Sequence, residues 1–271
     1  MASLHISISA EPIATIAGFH ITNSIFTSLI VTVLLILFFI GAGRSVKNTG
    51  KSSRFQSLVE LIVETFCNMV RSIVESDKKV ALFTPIIMAF FFFIIANNWY
   101  GLVPGDGSIG FTEPVESVVE KTTEGTVVEA GAPIQPEPVF VPYLRAGTAD
   151  LNTTLALAIV SVLLTQIYGV SFQKLGYFTK FINFSNPINF VVGLLEIVME
   201  AAKILSFAFR LFGNIFAGEV LLAVMTFLIP LVIPMPFYGL EIFVGFIQAL
   251  VFSMLSLMFF NLATIGHGEE H

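Results

Sequence analysis

Charge is what this chain has least of. Only 12% of its 271 residues are Asp, Glu, Lys or Arg, against about 25% in soluble domains. With 55% hydrophobic residues and a mean hydropathy of +0.88, the composition excludes an ordinary water-soluble domain and implies a polytopic membrane protein. The formal net charge is −6, but where the charges fall matters more than their sum. Cys67 is the single cysteine, so the chain offers no internal disulfide and no Cys-based metal site; it reads as a small apolar filler. One Trp stands against 29 Phe, which fits a lipid-facing, all-helical chain better than a strand-rich one. The four His are at 5, 20, 267 and 271, outside the apolar runs, so paired haem ligands are absent and a cytochrome is disfavoured. No Lys or Arg precedes Arg44, so neither a secretory signal peptide nor an Arg-rich transit peptide is expected. There is no Gly-x-x-x-x-Gly-Lys-Ser/Thr phosphate loop and no Gly-x-Ser-x-Gly or His-Glu-x-x-His. Nucleotide chemistry and an intramembrane hydrolase are both disfavoured, and no cofactor, metal or nucleic acid is expected.

The last absence is the most informative. No Lys or Arg follows Arg210, and Arg210 itself lies inside the apolar run Ile204–Leu222. A charge at the centre of a membrane helix costs roughly 2.5–3.5 kcal/mol on insertion scales, and arginine cannot shed its proton to escape that cost. It needs a carboxylate partner, a water-filled cavity, or both. An intramembrane ionisable residue is a functional candidate by default; the alternative is an arginine that snorkels or pairs for structure alone.

The apolar runs define an all-α bundle of about five or six helices in one integral membrane domain, 1–271. Spans are expected at about 21–43, 80–102, 151–170, 188–229 and 237–262. Residues 54–76 carry Phe55, Leu58, Val59, Ile62, Phe66, Met69, Val70 and Ile73 at helical spacing, which predicts an amphipathic helix in the interface or against a partner. Residues 103–147 are acidic and Pro-rich, with Glu113, Glu116, Glu120, Glu124, Glu129 and Glu137, and read as an exposed, partly disordered insertion. Arg44, Lys47, Lys51, Arg54, Arg71, Lys78, Lys79, Lys174 and Lys180 fall on one side of these spans and Lys121 and Arg145 on the other. The positive-inside rule then places the N-terminus outside and the C-terminal tail in the cytoplasm. The proline-free run 188–229 would measure about 63 Å as one helix, twice the roughly 30 Å hydrocarbon core. It must be steeply tilted, bent or folded as a hairpin, with Gly193, Gly213 and Gly218 as possible bend points.

Glu196, Lys203 and Arg210 recur every seven residues and form one stripe. Ser206 and Asn214, four residues to either side of Arg210, share its face, and small polar residues there let another helix approach closely. Glu200 and Lys203 have the spacing of an intrahelical pair, and the stripe also admits the plainer reading of a buried salt-bridge ladder. Glu219, nine residues beyond Arg210, lies about half a turn round the helix and faces other surroundings. Glu241 and Gln248 share a face of the last span. Desolvation opposes ionisation of a carboxyl group, which suits such groups to taking up and releasing protons. The pattern suggests two proton-accessible regions separated by a fixed positive charge; a structural pairing of Glu219 with a polar neighbour is the alternative.

Phe207-Ala-Phe-Arg-Leu-Phe-Gly-Asn-Ile-Phe-Ala-Gly-Glu219 resembles the signature of subunit a of the rotary F-type ATP synthase. Ala149-Asp-Leu-Asn-Thr-Thr-Leu-Ala-Leu-Ala158 and Phe246-Ile-Gln-Ala-Leu250 agree with it, and the likeness is clearest over about 148–271. The resemblance implies a non-catalytic, proton-translocating stator subunit of the membrane Fo sector. Its partners would be a ring of c subunits, the peripheral-stalk b subunits, the rest of the F1Fo complex and the lipid bilayer. It implies a tilted helical hairpin against the ring, with Arg210 as the essential arginine that ionises each passing ring carboxylate and blocks a leak. Ser206, Asn214 and Gln248 match positions near that arginine, Glu219 and Glu241 match positions of an aqueous half-channel, and Glu196 and Lys203 match positions nearer the cytoplasmic side. Some relatives carry histidine where this chain has Glu241, which alters the pH at which that position would titrate. A bacterial plasma membrane is the expected compartment, with an organelle inner or thylakoid membrane as the alternative. The competing class is a self-sufficient transporter or channel, but the repeated halves common in transporters are not evident.

Overall fold

The computed structural model describes residues 10–16, 19–47, 54–103, 110–113, 139–181, 187–229 and 233–265. Six α-helices dominate: α1 (Asn23–Lys47), α2 (Arg54–Arg71), α3 (Asp77–Tyr100), α4 (Leu151–Gln173), α5 (Pro187–Leu228) and α6 (Pro234–Thr264). All but α2 are long and apolar enough to cross a membrane, so the all-α polytopic reading holds. Two small antiparallel hairpins add to it: Pro12–Ile16 (β1) with Phe19–Thr22 (β2), and Gly110–Glu113 (β3) with Val139–Pro142 (β4). These hairpins were not expected.

The spanning helices alternate in direction. α1, α4 and α6 run from one end of the bundle, marked by Asn23, to the other, marked by Lys47, while α3 and α5 return. Bonds at each end fix this arrangement. At the Asn23 end the Trp99 indole donates to the Ile242 carbonyl at 3.1 Å; at the Lys47 end Lys79 donates to the Thr264 carbonyl at 3.4 Å. The core lies where α3 meets α4 and α6. Phe83, Ile87 and Ile94 pack with Tyr168, Phe252, Leu257 and Phe260, all buried. Phe83, Tyr168 and Phe260 form a ring triad with centroids 5.0–5.7 Å apart, the spacing at which aromatic edges meet faces. α2 is amphipathic as expected but stops at Arg71, and Phe66 and Val70 join the core. Most of α1 turns apolar side chains outward, Leu29, Leu34, Leu37 and Phe38 among them, as a lipid-facing helix does.

The long proline-bounded run is one uninterrupted helix. α5 has 42 residues and a length of about 63 Å, so it crosses a bilayer only when steeply inclined. Gly193, Gly213 and Gly218 do not break it. The hairpin expected within 188–229 is therefore not there; α6 instead returns along α5, and the two helices are the hairpin's arms. Phe207 stacks on Phe252 at 4.8 Å, and Gly218 abuts the Glu241 carboxylate. The two pairs set one antiparallel register.

The insertion read as exposed over 103–147 is not exposed throughout. Its acidic centre, 114–138, and the tail 266–271 lie outside the described residues. Its last residues are buried: Arg145, Ala146 and Gly147 continue into Thr148, Ala149 and Asp150 as a strap with every residue buried. Residues 147–149 form a 3₁₀ turn, and the Asp150 carboxylate caps α4 through the Asn152 N–H at 3.0 Å. The polar, Pro-rich character of 103–147 hid this burial, because the strap is held by hydrogen bonds from Arg145 and Thr148 and by the small side chains of Ala146 and Ala149 against Ile215.

Candidate functional site

Arg210 lies near the middle of α5 and is exposed. It makes no hydrogen bond or ion pair with any described residue. Its own helix shows why it points outward. Phe207, Ala208, Leu211 and Ile215 are buried and take the inner face, leaving Arg210 to the outer one. Beside it on the outer face are Ala202, Ser206, Gly213 and Ala217, all exposed. A Cβ added at Gly213 would meet nothing within 4 Å. The surface round the arginine is thus shallow and open. Asn214 is half-buried.

Polar groups gather on both sides of Arg210 along the helix. Toward the Asn23 end, at about 12–14 Å of rise, come Gly218 and Glu219. Gly218 is buried, and the Glu241 carboxylate from α6 occupies the place its side chain would take. Glu241 is only 8% exposed. In the α5–α6 register Gln248 stands level with Leu211, one residue from Arg210. It is 7% exposed, and its Nε2 has no hydrogen-bond partner. Glu219 accepts a bond at 3.1 Å from Nη2 of Arg145, whose side chain is 9% exposed against 43% for Glu219. The strap brings more polar groups here. The Thr148 hydroxyl donates to Asn98 Oδ1 at 2.7 Å, and Asn98 Nδ2 donates to the Gly245 carbonyl at 3.1 Å.

Toward the Lys47 end, about 10–21 Å of rise from Arg210, lie Lys203, Glu200 and Glu196. Lys180 ion-pairs with Glu196 and also reaches Glu200 at 3.5 Å; Lys203 donates to Glu200 at 2.8 Å. Tyr177 is buried beside this cluster and donates to Gln166 Oε1 at 2.7 Å. Burial, and then the negative charges of Glu200 and Glu196, push its phenol up to about 12.

Residues 25–261 match the family model of the ATP synthase A chain. The chain belongs to that family. As an A chain it is a subunit of the membrane Fo sector, which translocates protons, and a component of the F1Fo complex.

Within this A chain, the residues singled out from sequence fall into three groups. Arg210, Ser206 and Asn214 share the outer part of α5. Glu219, Glu241 and Gln248 line its other surfaces on the Asn23 side. Glu196 and Lys203 stand apart at the Lys47 end, in one network with Glu200 and Lys180 but paired to different partners. The expected Glu200–Lys203 pair is present. Sequence reading missed Arg145, Asn98, Thr148, Lys180 and Gly218. Only Gly218 carried a usable signal, a glycine inside a continuous helix pattern, which marks a close approach. The others reach the site through contacts across 50 residues or more in the cases of Thr148 with Asn98 and Arg145 with Glu219, which no local pattern encodes.

Proposed function

We propose that this A chain is the proton-conducting stator that works against a rotating ring of c subunits, with two half-channels meeting at Arg210. The observation that carries the proposal is the unpartnered Arg210 on an open face of small residues, with carboxylates to either side along α5. An unpaired arginine facing hydrocarbon would cost about 2.5–3.5 kcal/mol or more. A ring carboxylate arriving within about 4 Å contributes roughly 4 kcal/mol at an effective dielectric of about 20. The ring carboxylate is therefore favoured as the anion while it faces Arg210, and it is neutral once it turns to lipid. Ala202, Ser206, Gly213 and Ala217 let a ring helix come close. Arg210 remains charged, so no proton passes directly from one half-channel to the other.

In this reading Glu219, Glu241 and Gln248, with Asn98 and Thr148 behind them, form the half-channel at the Asn23 end. Ser206 and Asn214 flank Arg210 where the carboxylate passes. Glu196 and Lys203 belong to the opposite half, where the ion pairs with Lys180 and Glu200 favour a structural share in it. Arg44, Lys78, Lys79 and Lys174 cluster at the Lys47 end, so that end faces the cytoplasm under the positive-inside rule. The N-terminus is then outside, in a bacterial plasma membrane. The peripheral-stalk b subunits complete the stator.

The test is ATP-driven proton pumping in inverted vesicles carrying Arg210→Ala, with assembly followed by blotting. Assembled complex without pumping supports the gate. Pumping near wild type would make Arg210 structural and remove the basis of the mechanism.

A further inference from the structure

Arg145 is the charged side chain that the mechanism above leaves without a task. It is 7% exposed and held on a strap that has no room to shift. The Arg145 N–H donates to Thr27 Oγ1 of α1 at 3.2 Å. A Cβ on Gly147 would run into Ser28 Oγ and Asn97 Oδ1, and one on Gly101 would come within 2.6 Å of the Ala146 Cβ. The guanidinium therefore projects from a fixed backbone between α1, α3 and α5. Its partner, Glu219, is the more exposed of the two, at 43% against 9%.

We propose that Arg145 is a positioning residue of the half-channel at the Asn23 end, fixing the Glu219 carboxylate where it can exchange protons with the Glu241 region. The inference rests on the half-channel reading above. Proton transfer needs oxygens held within hydrogen-bond reach, directly or through one water. Arg145 engages Oε2 of Glu219 and leaves Oε1 to meet a proton-carrying water. Glu219 follows directly on Gly218, the residue against which the Glu241 carboxylate rests, so the two carboxylates sit at one level along α5. Among the described residues, the charged groups brought together here are Arg145 and Asp150 from the strap, Glu219 from α5 and Glu241 from α6. Asp150 is committed to capping α4, and Arg145 is the cation among these four. Guanidinium suits the task because it stays protonated even when buried, so the anchor keeps its charge whatever the state of the carboxylate.

The decisive experiment compares R145Q, E219Q and the double variant in the whole complex, reading ATP-driven pumping per assembled complex. R145Q is expected to assemble and to lose roughly tenfold or more of its pumping, the scale on which a misplaced group impairs a transfer step. The double variant is expected to pump like E219Q, because the proposed role of Arg145 in transport runs through Glu219. A double variant that falls further, by the factor R145Q loses alone, would overturn the proposal, as would R145Q pumping at the wild-type rate. Should R145Q fail to assemble, assembly of the double variant would still support the coupling, and failure of both would overturn it. E219Q pumping normally would instead sink the half-channel reading of Glu219, a different failure.

Discussion

Gly218→Ala separates the fold from the transport path. The Cβ it introduces lands on the Glu241 carboxylate, overlapping both oxygens and Cδ. An ordinary contact needs about 3.5 Å, so the carboxylate must retreat by more than about 1 Å. The three nearest atoms all belong to the end of the Glu241 side chain, and a glutamate can swing its end away. The stability cost is then that of an off-rotamer side chain, about 0.5–1.5 kcal/mol, partly offset by the gain of about 0.5–1 kcal/mol for alanine over glycine within a helix. Transport is more sensitive, since a displacement of about 1 Å at a reacting group can lower a rate on the order of 100-fold. We expect near-normal assembly with pumping reduced by at least about tenfold, read as dye quenching in inverted vesicles and normalised to assembled complex. Gly239→Ala is the control, because a Cβ there meets nothing within 4 Å. Wild-type pumping by Gly218→Ala would refute the reasoning, and so would a loss of pumping that merely tracks a loss of assembly.

Three further outcomes are expected. Gly193→Ala places its Cβ on the carbonyl of Phe181, a backbone group that cannot swing away; it should cost about 1–3 kcal/mol, seen as a lower thermal midpoint and less assembled protein. Ser256→Ala removes the partner of the buried Ser161 hydroxyl, 2.8 Å away; a cost of about 1 kcal/mol should lower the thermal midpoint by about 2–4 °C. Tyr177 should form no phenolate until well above the ordinary value of 10.0, titrating at about 12. Because its folded value is raised, the folded state is undisturbed by this group below pH 10 and loses stability as the pH climbs from 10 towards 12. The difference in phenolate absorbance between wild type and Tyr177→Phe checks this.

Much of the fold was legible because lipid imposes a simple code. Runs of about 20 apolar residues must be spanning helices, and prolines at 187 and 234 mark where the two arms of the long hairpin begin. The outward face of Arg210 was legible for the same reason: helical spacing alone put Ser206 on its side. What remained hidden depends on contacts between distant segments. Nothing local in Tyr143-Leu-Arg-Ala-Gly-Thr148 distinguishes a buried strap from a surface loop. The partner of Glu219 lies 74 residues away on that strap. The sequence also left open whether α5 is interrupted; it runs unbroken, with Phe207, Ala208 and Leu211 in the main core and Ile215 against Ala146 and Ala149 of the strap.

The small hairpin at the base of the acidic insertion has a practical consequence. β3 and β4 pair from Gly110 with Pro142 to Glu113 with Val139, and Asn23 Nδ2 donates to the Pro142 carbonyl at 3.3 Å. The two strands of this neck meet each other before the chain returns to the bundle. The pairing brings Glu113 and Val139 together, so a change in the length of chain between them costs little: doubling a flexible loop costs only about 0.6 kcal/mol. A purification tag, a fluorescent domain or a protease site grafted between these strands should leave the six-helix bundle undisturbed, which makes this neck a handle for isolating the assembled complex.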